Sequence, residues 1–381
     1  MTVIDWPAIT GWQTRESVLL GPWAMHSADS AGRVHAEPPH PFRAPYQRDR
    51  DRIVHSAAFR RLAHKTQVFT GVRDDYHRSR LTHTLEVTSI ARTLARALAL
   101  NEDLVETLAL GHDIGHPPLG HAGEDTLAEL LAHDGGFNHN AQALRIMELL
   151  EIRYARFPGL NLSREVLDAQ ATRKRDGKAP APLLETQAVD AADSIAYDTH
   201  DADDAIELGL VTLEELLELP LVAEAAGRTR SHLGTLAGAD LRRAVLHELV
   251  ELQVADLVTE SRTAIERLGI DSVARVRAVF DGADGGRGVR VVSHSPAVAA
   301  AKKQFELFLF QRVYRSDRVM KVRAVAQEKL SQLFLWYVAH PDELPARFRA
   351  RSADCGVRRS TADYIAGMTD RFLEWDHGRR L

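Results

Sequence analysis

Cysteine is almost missing from this chain of 381 residues: Cys355 stands alone, so neither a disulfide framework nor a thiolate zinc cage can form within one chain. A reducing compartment fits, and a cytoplasmic protein is expected. Long apolar runs are lacking too. No stretch reaches the roughly 18 uninterrupted apolar residues of a membrane span, and the first residues show no basic segment leading into an apolar one. Neither secretion nor a membrane partner is expected. No sign of charge dominates either: 48 Lys and Arg against 53 Asp and Glu give a net charge of −5. That excludes a globally basic polyanion-binding surface and requires any phosphate site to be local. Strand text is scarce, confined to 288–292 after a glycine-rich turn and to 68–70, and no repeat of fixed period is present.

What is present is helical text. With 45% hydrophobic residues the chain can bury a large core. Residues 1–50, punctuated by Pro22, Pro38, Pro39, Pro41 and Pro45, read as an extended arm with short helical pieces. Helical periodicity then covers 52–67, 82–100, 102–112, 123–133, 140–154, 187–208 and 213–226, with Asn101 and Thr212 as caps, and resumes over 241–268, 297–313 and 319–338. The expected fold is all-α with at most a short β-hairpin: an arm (1–50), a core (51–210) and a helical C-terminal region (211–381) packed on it. That last region reads as packing surface rather than chemistry. Its apolar stretches 305–310 and 333–338 suit an oligomer face or ordinary core. Two polar stretches, 71–80 and 171–181, are loops of functional interest or plain solvated loops, and the second is basic.

On the helix from about Thr82, His83 shares a face with Val87, Ile90, Leu94 and Leu98, so it points inward. A lone inward histidine is more often a hydrogen-bonded core residue than a ligand. The next helix repeats the arrangement with Leu104, Leu108 and His112, and Asp113 follows at once in the run GHDIGHPPLGH. An adjacent His-Asp pair offers one imidazole nitrogen and one carboxylate oxygen to a single cation. His83 supplies a second imidazole, and Asp193 on a later helix is the best-placed closing carboxylate. Asp193, Tyr197 and Asp201 fall at i, i+4 and i+8, a stripe that is a solvated surface or, with Val189 one turn earlier on the same face, the wall of an interior cleft. Two histidines and two aspartates with open positions suit Mn, Fe, Co, Ni or Zn as a divalent ion, and Mg less comfortably.

His83, the His112-Asp113 pair and the distant Asp193 resemble the HD superfamily of phosphohydrolases. The phrases IVHSAAFRRL (53–62), KTQVF (65–69), RLTHTLEV (80–87) and FNHNAQ (137–142) narrow the resemblance to the deoxyguanosinetriphosphate triphosphohydrolase-like family, in its shorter bacterial branch, most densely over 19–204. The resemblance implies a metal-dependent enzyme that hydrolyses deoxynucleoside triphosphates to deoxynucleoside and inorganic triphosphate. It makes His83, His112, Asp113 and Asp193 metal ligands, and His121 with Glu124 an acid/base pair in which His121 protonates the leaving 5′-oxygen. It places His116 and His139 along the phosphate channel, Arg80 on phosphate, Gln67 on the deoxyribose, and Tyr197 with Asp201 at the sugar 3′-side. An imidazolium suits a poor alkoxide leaving group, although His121 and Glu124 also read as the first turn of a helix starting near Gly120. At Lys174, where relatives carry a Lys-His pair, Arg175 follows, and no phosphate contact is assigned there. The family also implies a homo-oligomer and an activating nucleotide. The alternatives are another HD phosphohydrolase, such as a nucleoside monophosphate phosphatase or a guanosine tetraphosphate hydrolase, and a non-catalytic nucleotide sensor or weak single-stranded nucleic-acid binder.

Overall fold

A computed structural model of the chain describes residues 11–67, 78–174, 180–282 and 288–381. Within them the protein is all-α. The arm carries α1 (Trp12–Leu19), and α2 (Pro45–Val54) and α3 (Ala57–Arg61) lead into the core. The core helices are α4 (Arg80–Ala97), α5 (Glu102–Gly111), α6 (Gly120–Leu130), α7 (His139–Arg145), α8 (Arg164–Thr172) and α9 (Leu184–Glu207). Beyond them come α10 (Leu213–Leu217), α11 (Pro220–Leu233), α12 (Gly238–Arg267), α13 (Val273–Phe280), α14 (Pro296–Leu309), α15 (Asp317–Ala339), α16 (Ala346–Cys355), α17 (Val357–Ala366) and α18 (Asp370–Arg380). Among the described residues no helix is long and apolar enough to cross a membrane.

The expected caps form. Asn101 Oδ1 accepts from Leu104 N at 3.2 Å, and Thr212 makes a reciprocal capping box with Glu215. Single periodic runs were interrupted where local chemistry forbids a continuous helix. The stretch 52–67 breaks after Val54, where Ser56 caps α3 through Phe59 N, and 213–226 is two helices because Pro220 opens α11 at its first turn. The hairpin allowed at 288–292 does not form. Val291 N and Val292 N both donate to Gln187 Oε1 on α9, at 2.9 and 3.2 Å, so a side chain takes the donors a partner strand would have used. The strand candidate 68–70 lies outside the described residues, as do 71–77 and 175–179 of the two polar stretches.

Three hydrophobic clusters fix the layout. In the largest, α4 packs against α5 and α9 through Val87, Leu94, Leu104, Leu108, Val189 and Ile195; all six are buried. This is what turns His83, His112 and Asp193 toward one another. A second cluster joins Leu127 of α6 to Leu330, Phe334 and Ile365 of the C-terminal helices. The third wraps the end of α9 with α11, α12 and α14, including Ala202, Leu249 and Phe305.

Candidate metal centre and substrate cleft

Ser79 caps α4 by accepting from Thr82 N at 3.2 Å, which sets the register that buries His83. The run after α5 turns sharply at a glycine that no other residue can replace. A Cβ on Gly115 would lie 2.0 Å from the His139 carbonyl oxygen and 2.3 Å from Ala143 N, so the close approach of α7 to the His112–His121 loop requires glycine. Leu119 and Gly120 then take left-handed φ values of 66° and 58°, and α6 starts there without a side-chain cap. Two partners from outside hold this loop. Lys65 Nζ donates to the carbonyls of His116 and Ala366 at 2.6 and 2.8 Å, and Asp370 accepts from Leu119 N and Thr66 N at 2.9 and 2.8 Å.

The ligand atoms of His83, His112 and Asp113 lie within 4.8 Å of one another, and all three residues are buried. Asp193 Oδ1 is 3.0 Å from His83 Nε2 and 3.6 Å from His112 Nε2. The atom that tests this group for a metal is His112 Nε2. His112 Nδ1 donates to the Ala109 carbonyl at 2.6 Å, which leaves the lone pair on Nε2, and Nε2 is buried without a hydrogen-bond partner among the described residues. A buried acceptor oriented by a carbonyl on its far nitrogen is the arrangement of a metal-bound imidazole. The protein thus contains a His/Asp group able to hold a divalent ion.

The electrostatics agree. Burial works to raise the Asp113 carboxyl, but His112, His116 and Arg80 outweigh it and hold Asp113 well below the usual range. Desolvation by the cleft walls likewise opposes ionisation of Asp193, yet His112 and the His83 hydrogen bond bring it to about 2. Both are carboxylates ready to bind a cation. Arg80, only 1% exposed, donates NH1 to Asp113 Oδ2 at 2.8 Å and NH2 to the Gln67 carbonyl at 3.3 Å. It therefore orients a ligand carboxylate while still lining the cleft.

Beside this group, the structure rearranges the expected acid/base pair. Glu124 does not hydrogen-bond His121; it accepts from both His139 N and His139 Nδ1, at 2.9 and 2.8 Å. The two residues sit one turn apart on α6, but α7 brings His139 to the carboxylate first. Burial would raise Glu124, and the His139 hydrogen bond overrides it and keeps the carboxyl ionised. His139 stacks on His116 with ring centroids 3.9 Å apart and 16° between planes, and His116 meets His121 edge-on at 5.6 Å. His116, His139 and Glu124 are close enough to suggest a second cation cage, but stacked rings aim their in-plane lone pairs in parallel rather than at one point. We read them as a hydrogen-bonding stack. His121 is open to the cleft; desolvation by the surrounding walls, and then Arg80, push its pKa down.

The cleft has a volume of about 1160 Å³. Gln67, Arg80, His83, His112, Asp113, His116, His121, His139, Asp193 and Tyr197 all line it. Asp201 does not belong to this lining. It is 1% exposed and accepts from the Tyr314 hydroxyl, while the Tyr314 ring lies 5.9 Å from that of Tyr197. Sequence reasoning missed Tyr314, and also Arg173, Asp190 and Arg290 on the cleft wall. Asp190 was legible in principle, one turn before Asp193 on the same helix. The C-terminal half therefore contributes to the site, through Phe280, Asp281 and Arg290 on the wall and Tyr314 behind it.

Asp201 carries a testable consequence. Burial pushes it up to about 7, against the opposing Tyr314 hydrogen bond. A carboxyl whose folded value lies above its unfolded value takes up a proton on folding, so stability is full below the unfolded value and falls as pH rises toward about 7. Asp201→Asn is expected to flatten this dependence, raising stability at pH 8 relative to pH 5 by on the order of 2 kcal/mol. Thermal unfolding at the two pH values measures it. An equal effect at both would show that the site does not resist the charge.

Comparison with known proteins matches the segment that contains this group. Residues 80–198 match the HD domain model, and residues 292–379 match that of the phosphohydrolase-associated domain. The chain is 40% identical over 373 residues to the deoxyguanosinetriphosphate triphosphohydrolase-like protein of Thiobacillus denitrificans, covering 94% of this chain and 96% of the relative. The proteins of that name from Azoarcus sp. and Geobacter sulfurreducens are each 40% identical, covering 96% and 97% of this chain and 98% and 97% of the relative.

Proposed function

This chain belongs to the deoxyguanosinetriphosphate triphosphohydrolase-like family of HD-domain phosphohydrolases, and from that premise we propose that it hydrolyses deoxynucleoside triphosphates to deoxynucleoside and inorganic triphosphate. The observation that carries the reading is the convergence of His83, His112, Asp113 and Asp193 at the floor of a cleft that also presents His121 and Tyr197. The four would hold a divalent ion. When bound, such an ion polarises a phosphoryl oxygen and lowers the pKa of water.

The protein's own groups do the rest. Arg80 holds Asp113 in place through Oδ2. His121 offers a ring nitrogen toward the leaving 5′-oxygen; a polyanionic substrate opposes the desolvation that keeps the ring neutral and favours the protonated acid. Glu124 fixes His139 by two hydrogen bonds, and His139 with His116 lines the phosphate channel. On the sugar side, Gln67 Oε1 is buried without a hydrogen-bond partner among the described residues, as suits an acceptor for a sugar hydroxyl. Tyr197 forms the adjoining wall, backed by the Tyr314–Asp201 pair.

The test is incubation of metal-loaded protein with each of the four deoxynucleoside triphosphates, singly and mixed, followed by separation of products. Deoxynucleoside and intact triphosphate are expected. Orthophosphate or pyrophosphate as the first product overturns the reading in favour of another HD phosphatase. Under the same assay, Tyr197→Ala is expected to narrow the gap between deoxy- and ribonucleotide kcat/KM by about tenfold, because it opens space beside the 2′ position.

A further inference from the structure

The entry to α6 is built on strained backbone, and a residue from the far end of the chain holds it. Leu119 carries a Cβ yet takes φ 66°, and Gly120 follows at 58°, a left-handed pair that glycine adopts freely and leucine does not. His121 comes next and lines the cleft. Against this turn lies the segment Thr66–Gln67: a Cβ on Gly120 would stand 3.2 Å from the Gln67 carbonyl oxygen. Gln67 lines the cleft as well. Asp370, the first residue of α18, joins the two segments. Its Oδ1 accepts from Leu119 N at 2.9 Å, and its Oδ2 accepts from Thr66 N at 2.8 Å and from the Thr66 hydroxyl. The carboxylate can face the loops because Thr369 caps α18 in its place, accepting from Phe372 N at 3.3 Å. α18 is held in turn by Leu373, buried in the cluster that contains Leu119 and Leu127.

We propose that Asp370 is a positioning residue of the reaction: by clamping Leu119 to Thr66 it fixes His121 and Gln67 relative to one another on the cleft wall. This rests on the acid role proposed above for His121. A carboxylate suits the task because both its oxygens accept, one for each segment, whereas an amide keeps one acceptor oxygen and a methyl none. Without the clamp the turn at Leu119 loses the hydrogen bond that offsets its strain, and the start of α6 relaxes. A hydrogen bond between two loops is ordinarily a matter of packing. Here each bonded segment runs directly into a cleft residue, Thr66 into Gln67 and Leu119–Gly120 into His121. The three hydrogen bonds stop short of the His83–His112–Asp113–Asp193 group, so the clamp acts on the proton donor and the sugar contact rather than on the ion.

Asp370→Ala is expected to lower kcat about ten- to a hundredfold, the scale for a reacting group displaced by a distant change, with metal content at the parental level. Asp370→Asn keeps one acceptor oxygen, so its kcat should fall between, and it carries the test if the alanine variant does not fold. Leu119→Asn supplies the rescue. Asparagine tolerates the left-handed conformation, so in either Asp370 background it should restore part of kcat. A defect of general stability would not be mended by a polar residue where Leu119 is buried in an apolar cluster. Histidine-labelled protein gives a readout that needs no substrate: the ring resonances of His121 should shift in Asp370→Asn while those of His83 and His112 stay in place. A parental kcat, an unmoved His121 signal, or a loss of metal that matches the loss of kcat overturns the clamp. The two proposals fail separately. A protein whose His121 signal shifts in Asp370→Asn but which does not cleave deoxynucleoside triphosphates keeps the clamp and loses the reaction. One that cleaves them with kcat unmoved by Asp370→Asn and Asp370→Ala keeps the reaction and loses the clamp.

Discussion

Replacing Asp113 by alanine is expected to leave the purified protein nearly free of bound metal and to lower turnover by at least about three orders of magnitude, because the charge stabilisation lost with the ion amounts to several kcal/mol. Two things go at once. The substitution removes a ligand oxygen, and it strands the Arg80 guanidinium, 1% exposed, whose NH1 is bonded to that carboxylate. An unpaired buried charge costs about 3–5 kcal/mol, so Asp113→Ala should also unfold at lower temperature. Asp113→Asn separates the effects. It keeps an acceptor oxygen for Arg80 and the side-chain volume, yet lacks the negative charge a divalent ion requires, so stability should largely return while metal and turnover stay low. Metal content by emission spectroscopy, measured beside thermal unfolding, decides. Stoichiometric metal in Asp113→Asn with parental activity would remove Asp113 from the ligand set.

His121→Ala should behave in the opposite way, keeping metal and nucleotide binding while kcat falls by about two to four orders of magnitude, the range for a positioned acid. Hydrolysis in ¹⁸O-labelled water identifies the bond cleaved: attack at the α-phosphorus puts the label in triphosphate, attack at the sugar carbon puts it in the nucleoside. The hydrogen bonds of Glu124 add a sharper expectation. Because its carboxylate is bonded to His139 and not to His121, Glu124→Gln and His139→Asn act on one unit. Combined, they should cost little more than either alone, whereas Glu124→Gln and His121→Ala should combine nearly additively in free energy. Additivity in the first pair and its absence in the second would reinstate His121 as the partner of Glu124.

That exchange of partners shows where linear reasoning stops. His121 and Glu124 are three apart on one helix, and spacing alone pairs them. It says nothing of α7, which approaches across Gly115 and delivers His139 to the same carboxylate. The same limit explains the hairpin that does not form at 288–292. Local text describes a strand, but the side chain of Gln187, about a hundred residues earlier, satisfies its donors. Asp201 shared the Asp193 stripe by periodicity, and Tyr314 from beyond α14 claims it.

What the sequence determined by itself was everything carried by period and adjacency. Helical periodicity, with Asn101 as the cap of α5, placed α4, α5, α7 and α9 but not α8, and inward registers for His83 and His112 followed, because a side chain's face on a helix is set by its own segment. The His112-Asp113 pair needed no folding to be recognised. Tertiary structure alone decided which groups meet across segments: Arg80 with Asp113, Glu124 with His139, Tyr314 with Asp201, and Thr66 with Leu119 on Asp370. The reason is physical. A helix fixes directions every 3.6 residues, but hydrogen bonds between elements depend on how buried apolar faces dock, and that docking is settled by the whole core at once.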